Sequence, residues 1–279
     1  MASSTAAADV RAAVLGSPVE HSKSPVLHCA AYRALGLTDW TYERIDCTGE
    51  QLPGLLDGFG PEWVGVSVTM PGKVAALEYA TERTARAVLA GSANTLVRTA
   101  SGWRADCTDV DGIVGALRDA GVEDLSGSTV TVVGAGGTSR PAVVALAGLG
   151  ATAVTVVARS ADRARDTLDC AVAAGMRAEF VDMTDPRLAT VAAESAVLVS
   201  TVPAAGAADI ASDLAHAPLV LDAIYDPWPT PLATAVEAAG GTVIGGLSML
   251  LNQAYGQVEQ FTGRPAPRAI MRDALTTMR

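Results

Sequence analysis

The sequence is short of positive charge and of aromatic residues. Its 279 residues include 20 lysines and arginines against 30 aspartates and glutamates, which gives a net charge of −10 at pH 7. Such a chain lacks the general basic field that attracts nucleic acid, although this does not exclude a local basic patch. Aromatic residues make up only 4%, while small residues are abundant and suit closely packed helix and strand layers. The length allows two domains or one large α/β domain.

Cysteine and histidine are scarce and scattered. The four cysteines (Cys29, Cys47, Cys107 and Cys170) form no C-x-x-C pair, and the three histidines show no metal-ligand spacing. We therefore expect no disulfide framework and no metal site, and a reducing cytoplasm as the location.

The sequence also lacks a clear membrane or targeting segment. Residues 1–9 contain neither a basic region nor a long apolar run, so we expect a short disordered lead-in rather than a signal peptide. The uncharged run from Pro141 to Ala158 is long enough to raise the question of a membrane span. Because Gly148 and Gly150 interrupt it, we expect a buried helix followed by a buried strand, and no membrane association.

Hydrophobic periodicity predicts alternating strands and helices, which is typical of an α/β fold. In the first half, the predicted strands are Arg11–Gly16, Thr41–Asp46, Val64–Thr69, Ala93–Thr99 and Trp103–Ala105, with a turn at Ser101-Gly102 between the last two. The predicted helices there are Val26–Leu35, Glu50–Gly58, Val74–Tyr79 and Thr81–Ala90.

The second half predicts a complete doubly wound nucleotide-binding domain over residues 109–247. Its predicted strands are Val130–Val133, Ala153–Val157, Arg177–Phe180, Ala196–Ser200, Leu219–Ala223 and Val243–Ile244. Its predicted helices are Asp109–Ala120, Ser139–Leu149, Ala161–Ala174 and Pro186–Glu194, and two more follow at Ser248–Phe261 and Arg268–Met278.

A glycine-rich turn marks a candidate cofactor site. It reads Gly134-Ala135-Gly136-Gly137-Thr138-Ser139, follows a strand and opens a helix. In that context glycines let the backbone approach a pyrophosphate, and the helix N-terminus offers unpaired N–H groups. Serine at the third fingerprint position is a departure, and a glycine-rich connection that serves another ligand is the alternative.

The end of the next strand indicates which dinucleotide binds. An NAD site carries Asp or Glu there, but this chain reads Ala158-Arg159-Ser160-Ala161-Asp162-Arg163. Guanidinium groups bind phosphate in a bidentate manner, so a 2′-phosphate and hence NADP(H) are predicted. The alternative is that Arg163 belongs to the solvated face of the following helix.

A lysine after a strand is the candidate catalytic residue. The stretch Val66–Lys73 predicts a strand that stops at Pro71, with Lys73 in the turn that follows. Hydride delivery to a ketone produces an alkoxide, which needs a proton and a nearby positive charge, and a lysine supplies both. Lys73 is one of only two lysines, so generic surface charge is a weaker explanation. We propose Asp109 as the carboxylate partner of this lysine. The alternative is that Asp109 is only a helix N-cap.

Several motifs occur in one order along the chain. They are H-S-K-S-P at 21–25, V-x-V-T-M-P-x-K at 66–73, Ser92–Leu96, Thr108-Asp109-x-x-Gly112, G-A-G-G-x-S-R at 134–140, and Gly246–Leu250 with Gln253. Because it carries these motifs in this order, the chain resembles the shikimate dehydrogenase family over about residues 11 to 275. That family reduces 3-dehydroshikimate to shikimate with NADPH.

The resemblance implies a set of site residues. Lys73 and Asp109 are the catalytic pair, and Ser22 and Ser24 contact the substrate carboxylate. The further substrate contacts are Ser67, Thr69, Asn94, Asp109, Tyr225 and Gln253. The implied cofactor contacts are Gly134, Ala135, Gly136, Gly137, Thr138, Ser139 and Arg140 for the pyrophosphate, Arg159, Ser160 and Arg163 for the 2′-phosphate, and additionally Ala158 and Gly246.

This sequence departs from the family pattern at three positions. Ser67 and Cys107 stand where the family usually has asparagine, and Ala158 replaces the commoner asparagine of the 2′-phosphate loop. Serine is shorter, so a direct substrate contact could be lost or bridged by water. A thiol is a weak hydrogen-bonding group, and could make the site sensitive to thiol reagents.

The resemblance also implies a domain layout. Residues 1–108 and 248–279 form a substrate-binding domain, residues 109–247 form the NADP-binding domain, and a cleft lies between them. The helices from 248 onward return to the first domain because Gln253 must reach the substrate. We expect a small-molecule substrate and a monomer or homodimer. The alternatives are an NAD-dependent quinate/shikimate dehydrogenase, which Arg159, Arg163 and Ser24 count against, and a non-catalytic dinucleotide- or metabolite-sensing protein, which Lys73 and Asp109 count against.

Overall fold

The computed structural model describes residues 9–276, which divide into two compact units. The first unit takes in residues 9–88, 92–108 and 254–276, and the second takes in 89–91 and 109–253. The predicted lead-in over residues 1–8 and the predicted helix end at Met278 lie outside the described residues.

A mixed six-stranded sheet forms the centre of the first unit. Its order is β2-β1-β3-β5-β6-β4, in which the first three strands are parallel and β5 runs antiparallel to both of its neighbours. The β5–β6 hairpin confirms the predicted turn to within one residue, since Thr99 pairs with Gly102 and the two residues between them form the turn. The strands are β1 (Val10–Gly16), β2 (Trp40–Asp46), β3 (Trp63–Val68), β4 (Glu82–Arg83), β5 (Thr95–Thr99) and β6 (Gly102–Asp106).

Helices cover this sheet, and its core contains Leu15, Val66, Leu96 and Trp103. The helices are α1 (Ser24–Ala34), α2 (Leu52–Asp57), α3 (Lys73–Tyr79), α4 (Ala85–Ala90), the last turns of α12 (Gly246–Thr262), and α13 (Arg268–Thr276).

The prediction of a single helix from Thr81 to Ala90 is wrong. The backbone N–H of Thr81 donates to the carbonyl of Trp103 (3.0 Å), and that of Thr84 donates to the carbonyl of Ala105 (3.0 Å). This segment therefore adds a short edge strand to β6, and the helix begins only at Ala85. Local helical spacing failed here because pairing with a strand 20 residues downstream satisfies the same backbone groups.

The second unit is built on a six-stranded parallel sheet. Its order is β12-β11-β10-β7-β8-β9, which is the doubly wound nucleotide-binding order with β7 as the first strand. This confirms the predicted fold class of two α/β units with one Rossmann-like sheet. The strands are β7 (Thr129–Val133), β8 (Ala153–Ala158), β9 (Arg177–Asp182), β10 (Leu198–Ser200), β11 (Leu219–Asp222) and β12 (Thr242–Gly245).

Helices precede, separate and follow these strands along the chain. They are α5 (Asp109–Asp119), α6 (Ser139–Gly148), α7 (Ala161–Ala173), α8 (Leu188–Ala193), α9 (Ala204–Ala207), α10 (Ala211–Leu214), α11 (Pro231–Ala238) and the start of α12, with a short 3-10 helix at Ala208–Ile210. The helices between β10 and β11 were not predicted, because each is a single turn and too short for a helical period to show.

The uncharged run from Pro141 to Ala158 is divided as predicted, since α6 ends at Gly148 and β8 begins at Ala153. Within residues 9–276, no helix combines the length and the apolar character that a membrane crossing requires.

Candidate functional site

The carboxyl ends of β1 and β3 meet at one edge of the first sheet. The backbone N–H of Thr69 donates to the carbonyl of Leu15 (2.8 Å), and that of Ser17 donates to the carbonyl of Met70 (3.0 Å). These bonds place the chain after β3 beside the loop after β1. Thr69 is half-buried at this edge, in the position where the sequence predicts a substrate contact.

Lys73 is the first residue of α3 and is 9% exposed. Lysine is rarely buried to this extent in a protein of this size. The backbone N–H of Ala93 donates to the carbonyl of Lys73 (2.9 Å), so the segment before β5 lies against the start of α3. Ala93, the residue before Asn94, therefore lies beside the predicted catalytic lysine.

Asn94 is almost completely buried, and local hydrogen bonds fix the orientation of its amide. Its Oδ1 accepts from the backbone N–H of Thr108 (2.7 Å) and from the Thr95 hydroxyl (3.0 Å), while its Nδ2 donates to the Thr108 hydroxyl (3.0 Å). A side chain held in this way is preorganised to recognise a polar ligand.

Ser67 is buried, and its hydroxyl contacts two side chains that the sequence analysis did not identify. The Tyr42 hydroxyl donates to Ser67 Oγ (2.7 Å), and Ser67 Oγ donates to Gln257 Oε1 (2.9 Å). The only signal for Gln257 in the sequence is a polar side chain among buried positions of a long helix. Such a pattern does not say which strand the glutamine contacts.

Ser22 and Ser24 lie in the loop before α1 and at its first residue. The backbone N–H of Ser24 donates to Ser22 Oγ (3.3 Å), and the Arg44 guanidinium donates to the carbonyl of Ser22 (2.6 and 2.9 Å). Burial raises the pKa of Tyr42 well above its usual range, while hydrogen bonds with Ser67 and Ser24 act in the opposite direction. Tyr42 is thus a neutral phenol beside two predicted substrate contacts.

In the second unit, Asp109 begins α5 and is 3% exposed. A Cβ at Gly112 would lie 2.7 Å from the carbonyl of Met249 and 3.1 Å from Cβ of Gln253, so α5 and α12 pack closely at this glycine. Two predicted substrate contacts, Asp109 and Gln253, therefore sit on adjacent helices. Lys73 belongs to the other unit, and its pairing with Asp109 stays a prediction.

The glycine-rich turn lies between β7 and α6. Gly134 has a φ of +112°, a conformation that other residues rarely adopt, and a side chain there would collide with the Thr201 hydroxyl. A Cβ at Gly136 would meet only open space. Within the described part of the chain, the backbone N–H groups of residues 135–138 make no hydrogen bond. Unsatisfied amides at a helix N-terminus, open to a ligand, fit the pyrophosphate of a dinucleotide.

Ser139 and Arg140 direct their side chains at the protein itself. The Ser139 hydroxyl donates to the carbonyl of Gly136 (2.7 Å) and contacts the Thr167 hydroxyl (3.0 Å). The Arg140 guanidinium donates to the carbonyl of Gly91 (3.0 Å). Serine at the third fingerprint position thus links the turn to α7. The predicted cofactor contacts of these two residues stay predictions.

Arg159 and Arg163 lie exposed where β8 ends and α7 begins. Neither guanidinium forms an ion pair or hydrogen bond among residues 9–276, whereas Arg165 pairs with Asp162 (2.8 Å). Ser160 caps α7 by accepting from the backbone N–H of Arg163 (3.4 Å). Two guanidiniums without a protein partner beside a helix N-terminus fit the 2′-phosphate of NADP(H). Ala158 is buried, and its carbonyl accepts from the N–H of Met183 (3.1 Å).

The loop after β11 carries Tyr225, which is half-buried. The Thr230 hydroxyl connects the two ends of this loop, because it donates to Asp222 Oδ2 (2.6 Å). The same hydroxyl accepts from the N–H of Ala233 (3.0 Å) as the N-cap of α11. Gly246 is buried at the start of α12, where its backbone lies against the carbonyl of Ala223.

The chain is similar to known proteins along most of its length. The chain is 59% identical to the shikimate dehydrogenase of Mycobacterium tuberculosis, whose crystal structure superposes with a TM-score of 0.91 over 96% of this chain and 99% of that one. It is 39% identical to the "Shikimate dehydrogenase (NADP(+))" of Methanocella arvoryzae, over 94% of this chain and 98% of the relative. The chain belongs to the shikimate dehydrogenase family.

Family models match most of the chain in three sections. The shikimate dehydrogenase substrate binding domain matches residues 14–96, the shikimate / quinate 5-dehydrogenase model matches 116–215, and the shikimate 5′-dehydrogenase C-terminal domain matches 246–276. A member of this family from Thermus thermophilus was solved in complex with NADP(H) and shikimate; it is 30% identical, with a TM-score of 0.81 over 96% of this chain and 99% of that one.

Proposed function

We propose that this chain catalyses the NADP(H)-dependent, reversible reduction of 3-dehydroshikimate to shikimate, a step of the shikimate pathway towards the aromatic amino acids. The observation that carries the proposal is the buried Lys73 at the carboxyl edge of the first sheet, where the segment that leads into Asn94 lies against it. The relatives named shikimate dehydrogenase (NADP(+)) support the same reaction.

The second unit holds the cofactor in this proposal. When bound, NADPH supplies the hydride that reduces the ketone. The backbone amides of residues 135–138 bind the pyrophosphate, and Arg159 and Arg163 bind the 2′-phosphate, with Ser160 fixing the start of α7 between them.

Lys73 handles the proton. Addition of hydride to a ketone leaves negative charge on the oxygen, and the Lys73 ammonium donates a proton to it and stabilises the charge as it develops. In the direction of oxidation, the neutral amine takes the proton from the shikimate hydroxyl. Asp109 orients the lysine and accepts a hydrogen bond from a substrate hydroxyl.

The remaining predicted residues recognise the substrate. Ser22 and Ser24 hold its carboxylate, and Asn94 offers an amide that the Thr95 and Thr108 hydroxyls keep in one orientation. The other proposed contacts are Ser67, Thr69, Tyr225 and Gln253.

The deciding experiment is the oxidation of shikimate and of quinate by the purified protein, with NADP⁺ and NAD⁺ in parallel, followed by the absorbance of the reduced nicotinamide. We expect shikimate with NADP⁺ to give the highest kcat/KM. Faster oxidation of quinate with NAD⁺ would instead identify a quinate/shikimate dehydrogenase. Binding of both ligands without turnover would favour a sensing protein.

A further inference from the structure

Gln257 lies at the centre of a buried polar network in the first unit. It is 1% exposed, and its amide has four partners. Its Nε2 contacts the carbonyl of Asn94 and the Thr95 hydroxyl (both 3.2 Å), and its Oε1 contacts Ser67 Oγ (2.9 Å) and His28 Nε2 (3.3 Å). All four hydrogen-bonding positions of the amide are therefore used inside the protein.

One of these partners fixes the orientation of the amide. The carbonyl of Asn94 can only accept, so the NH₂ group of Gln257 must face it and the Oε1 must face Ser67. An amide oxygen cannot donate, and therefore the single hydroxyl proton of Ser67 points at Gln257. The Tyr42 hydroxyl must then donate to Ser67, because Ser67 has no second proton to give.

The same reasoning assigns the hydrogen-bond donors and acceptors around His28. His28 is completely buried, and burial lowers its pKa to about 3 despite the hydrogen bond with Gln257, so the ring is neutral. Its Nε2 donates to Gln257 and its Nδ1 accepts from the Tyr32 hydroxyl (3.4 Å). The rings of His28 and Tyr42 are also stacked with centroids 4.0 Å apart, which keeps the donors in place.

We propose that Gln257 is a positioning residue that sets the hydrogen-bond polarity of Ser67, so that Ser67 accepts a hydrogen bond from a substrate hydroxyl and cannot donate one. Of the two lone pairs on Ser67 Oγ, Tyr42 occupies one, and no donor among the described residues bonds to the other. The position selects a hydroxyl over a carbonyl or carboxylate oxygen, because two acceptors facing each other are unfavourable. This inference rests on the proposed function, and specifies which substrate group Ser67 contacts.

The test is a double-mutant cycle with Gln257→Met, Ser67→Ala and the combination. Methionine keeps the length of glutamine and removes its polarity. We expect either single change to raise the KM for shikimate about tenfold, the effect of one hydrogen bond, with a smaller change in kcat. If Gln257 acts through Ser67, the double variant has nearly the same KM as the single variants. Effects on KM that multiply would overturn the proposal.

Gln260→Met is the matched control. Gln260 lies on the same helix and bonds to Asp106 (2.7 Å) and Arg104 (3.2 Å), neither of which is a proposed substrate contact. We expect its KM for shikimate to stay within about twofold of the wild type, and an increase equal to that of Gln257→Met would contradict a specific role. Dissociation constants for NADPH, measured by fluorescence, should be unchanged in all of these variants.

A second variant covers the case in which Gln257→Met does not fold. A protonated carboxyl in Gln257→Glu can still accept from Ser67 and donate to the carbonyl of Asn94, but an ionised one cannot donate. The titratable groups around this position are His28 on α1 and, beyond Ser67, Tyr42 on β2, and neither titrates near neutrality. Because a carboxyl accepts from Ser67 in either state, we expect Gln257→Glu to keep the KM for shikimate within about twofold of the wild type at low pH, where its proton also restores the bond to Asn94. A KM at low pH as high as that of Ser67→Ala would overturn the proposal.

These outcomes are distinct from failure of the proposed function. If the wild-type protein does not oxidise shikimate, the reaction assignment fails. If it does and the cycle is additive, only the role of Gln257 fails.

Discussion

At the scale of single residues, burial separates Lys73 from ordinary surface charge. The chain has 18 arginines but only two lysines, and one of these lies 9% exposed at the edge of a sheet. An ammonium group in such a place costs desolvation free energy, so a protein keeps it there only when the charge is used.

The residue-scale prediction concerns this lysine. Lys73→Ala should lower kcat by about 10³-fold, within the usual range for loss of a general acid–base group, and leave NADPH binding nearly intact. Steady-state kinetics and fluorescence titration with NADPH measure the two effects. Lys73→Arg should also be slow, because arginine keeps the charge but does not release its proton near neutral pH. Retained turnover in the alanine variant would remove the lysine from the mechanism.

At the scale of elements, a buried carboxylate connects the end of β6 with α4 and α12. Asp106 receives a bidentate contact from Arg86 (2.5 and 2.7 Å) and further hydrogen bonds from Thr84 (2.8 Å), Gln260 (2.7 Å) and the N–H of Cys107 (2.8 Å). Burial raises the pKa of Asp106, but the hydrogen bonds and charge of Arg86 outweigh it and lower the pKa to about 2. The carboxylate is thus stabilising only while ionised.

The ion pair between Asp106 and Arg86 predicts that the stability of the protein depends on pH. The pKa of Asp106 is lower in the folded state than the value of about 3.9 in the unfolded chain, so its contribution is present above that pH and is lost as pH falls towards 2. The contribution is at most about 3 kcal/mol. Urea unfolding at several pH values, followed by tryptophan fluorescence, measures it, since three of the four tryptophans lie in the first unit. Asp106→Asn should be less stable at neutral pH and should lose less stability on acidification. Parallel losses in the variant and the wild type would contradict this.

At the scale of the whole molecule, the net charge of −10 opposes the binding of an anionic cofactor. Local positive charge must offset that repulsion, and two arginines in this part of the chain are already paired with carboxylates. Arg165 is paired with Asp162, and Arg187 contacts Asp185 (3.0 Å) and Glu179 (3.5 Å). Arg159 and Arg163 have no carboxylate partner among the described residues, so the guanidiniums at the end of β8 are available to a phosphate.

The corresponding prediction uses the stability of the whole chain. A ligand that binds only the folded state raises the melting temperature according to its concentration relative to Kd. Arg159→Ala should reduce the stabilisation by NADP⁺ strongly and that by NAD⁺ little, and should raise the KM for NADPH more than that for NADH. Arg165→Ala is the control and should behave as the wild type. Equal losses for both cofactors would contradict recognition of the 2′-phosphate.

The sequence alone determined the α/β class, the doubly wound sheet and the family. These follow from local features: alternating hydrophobic periods, a glycine-rich turn between a strand and a helix, and motifs in a fixed order. The choice of NADP(H) over NAD(H) was also predicted from a local feature, because the end of β8 lacks an acid and two arginines follow it within six residues.

Only the tertiary structure decided how Ser67 is held. Its hydroxyl contacts Gln257, which is 190 residues away in sequence, and Tyr42, which is 25 residues away. The same applies to the edge strand at Glu82–Arg83, which forms because β6 lies beside it. The polarity of a buried hydroxyl and the conformation of a short segment depend on partners distant in sequence, and a local pattern contains no information on which partner folding brings there.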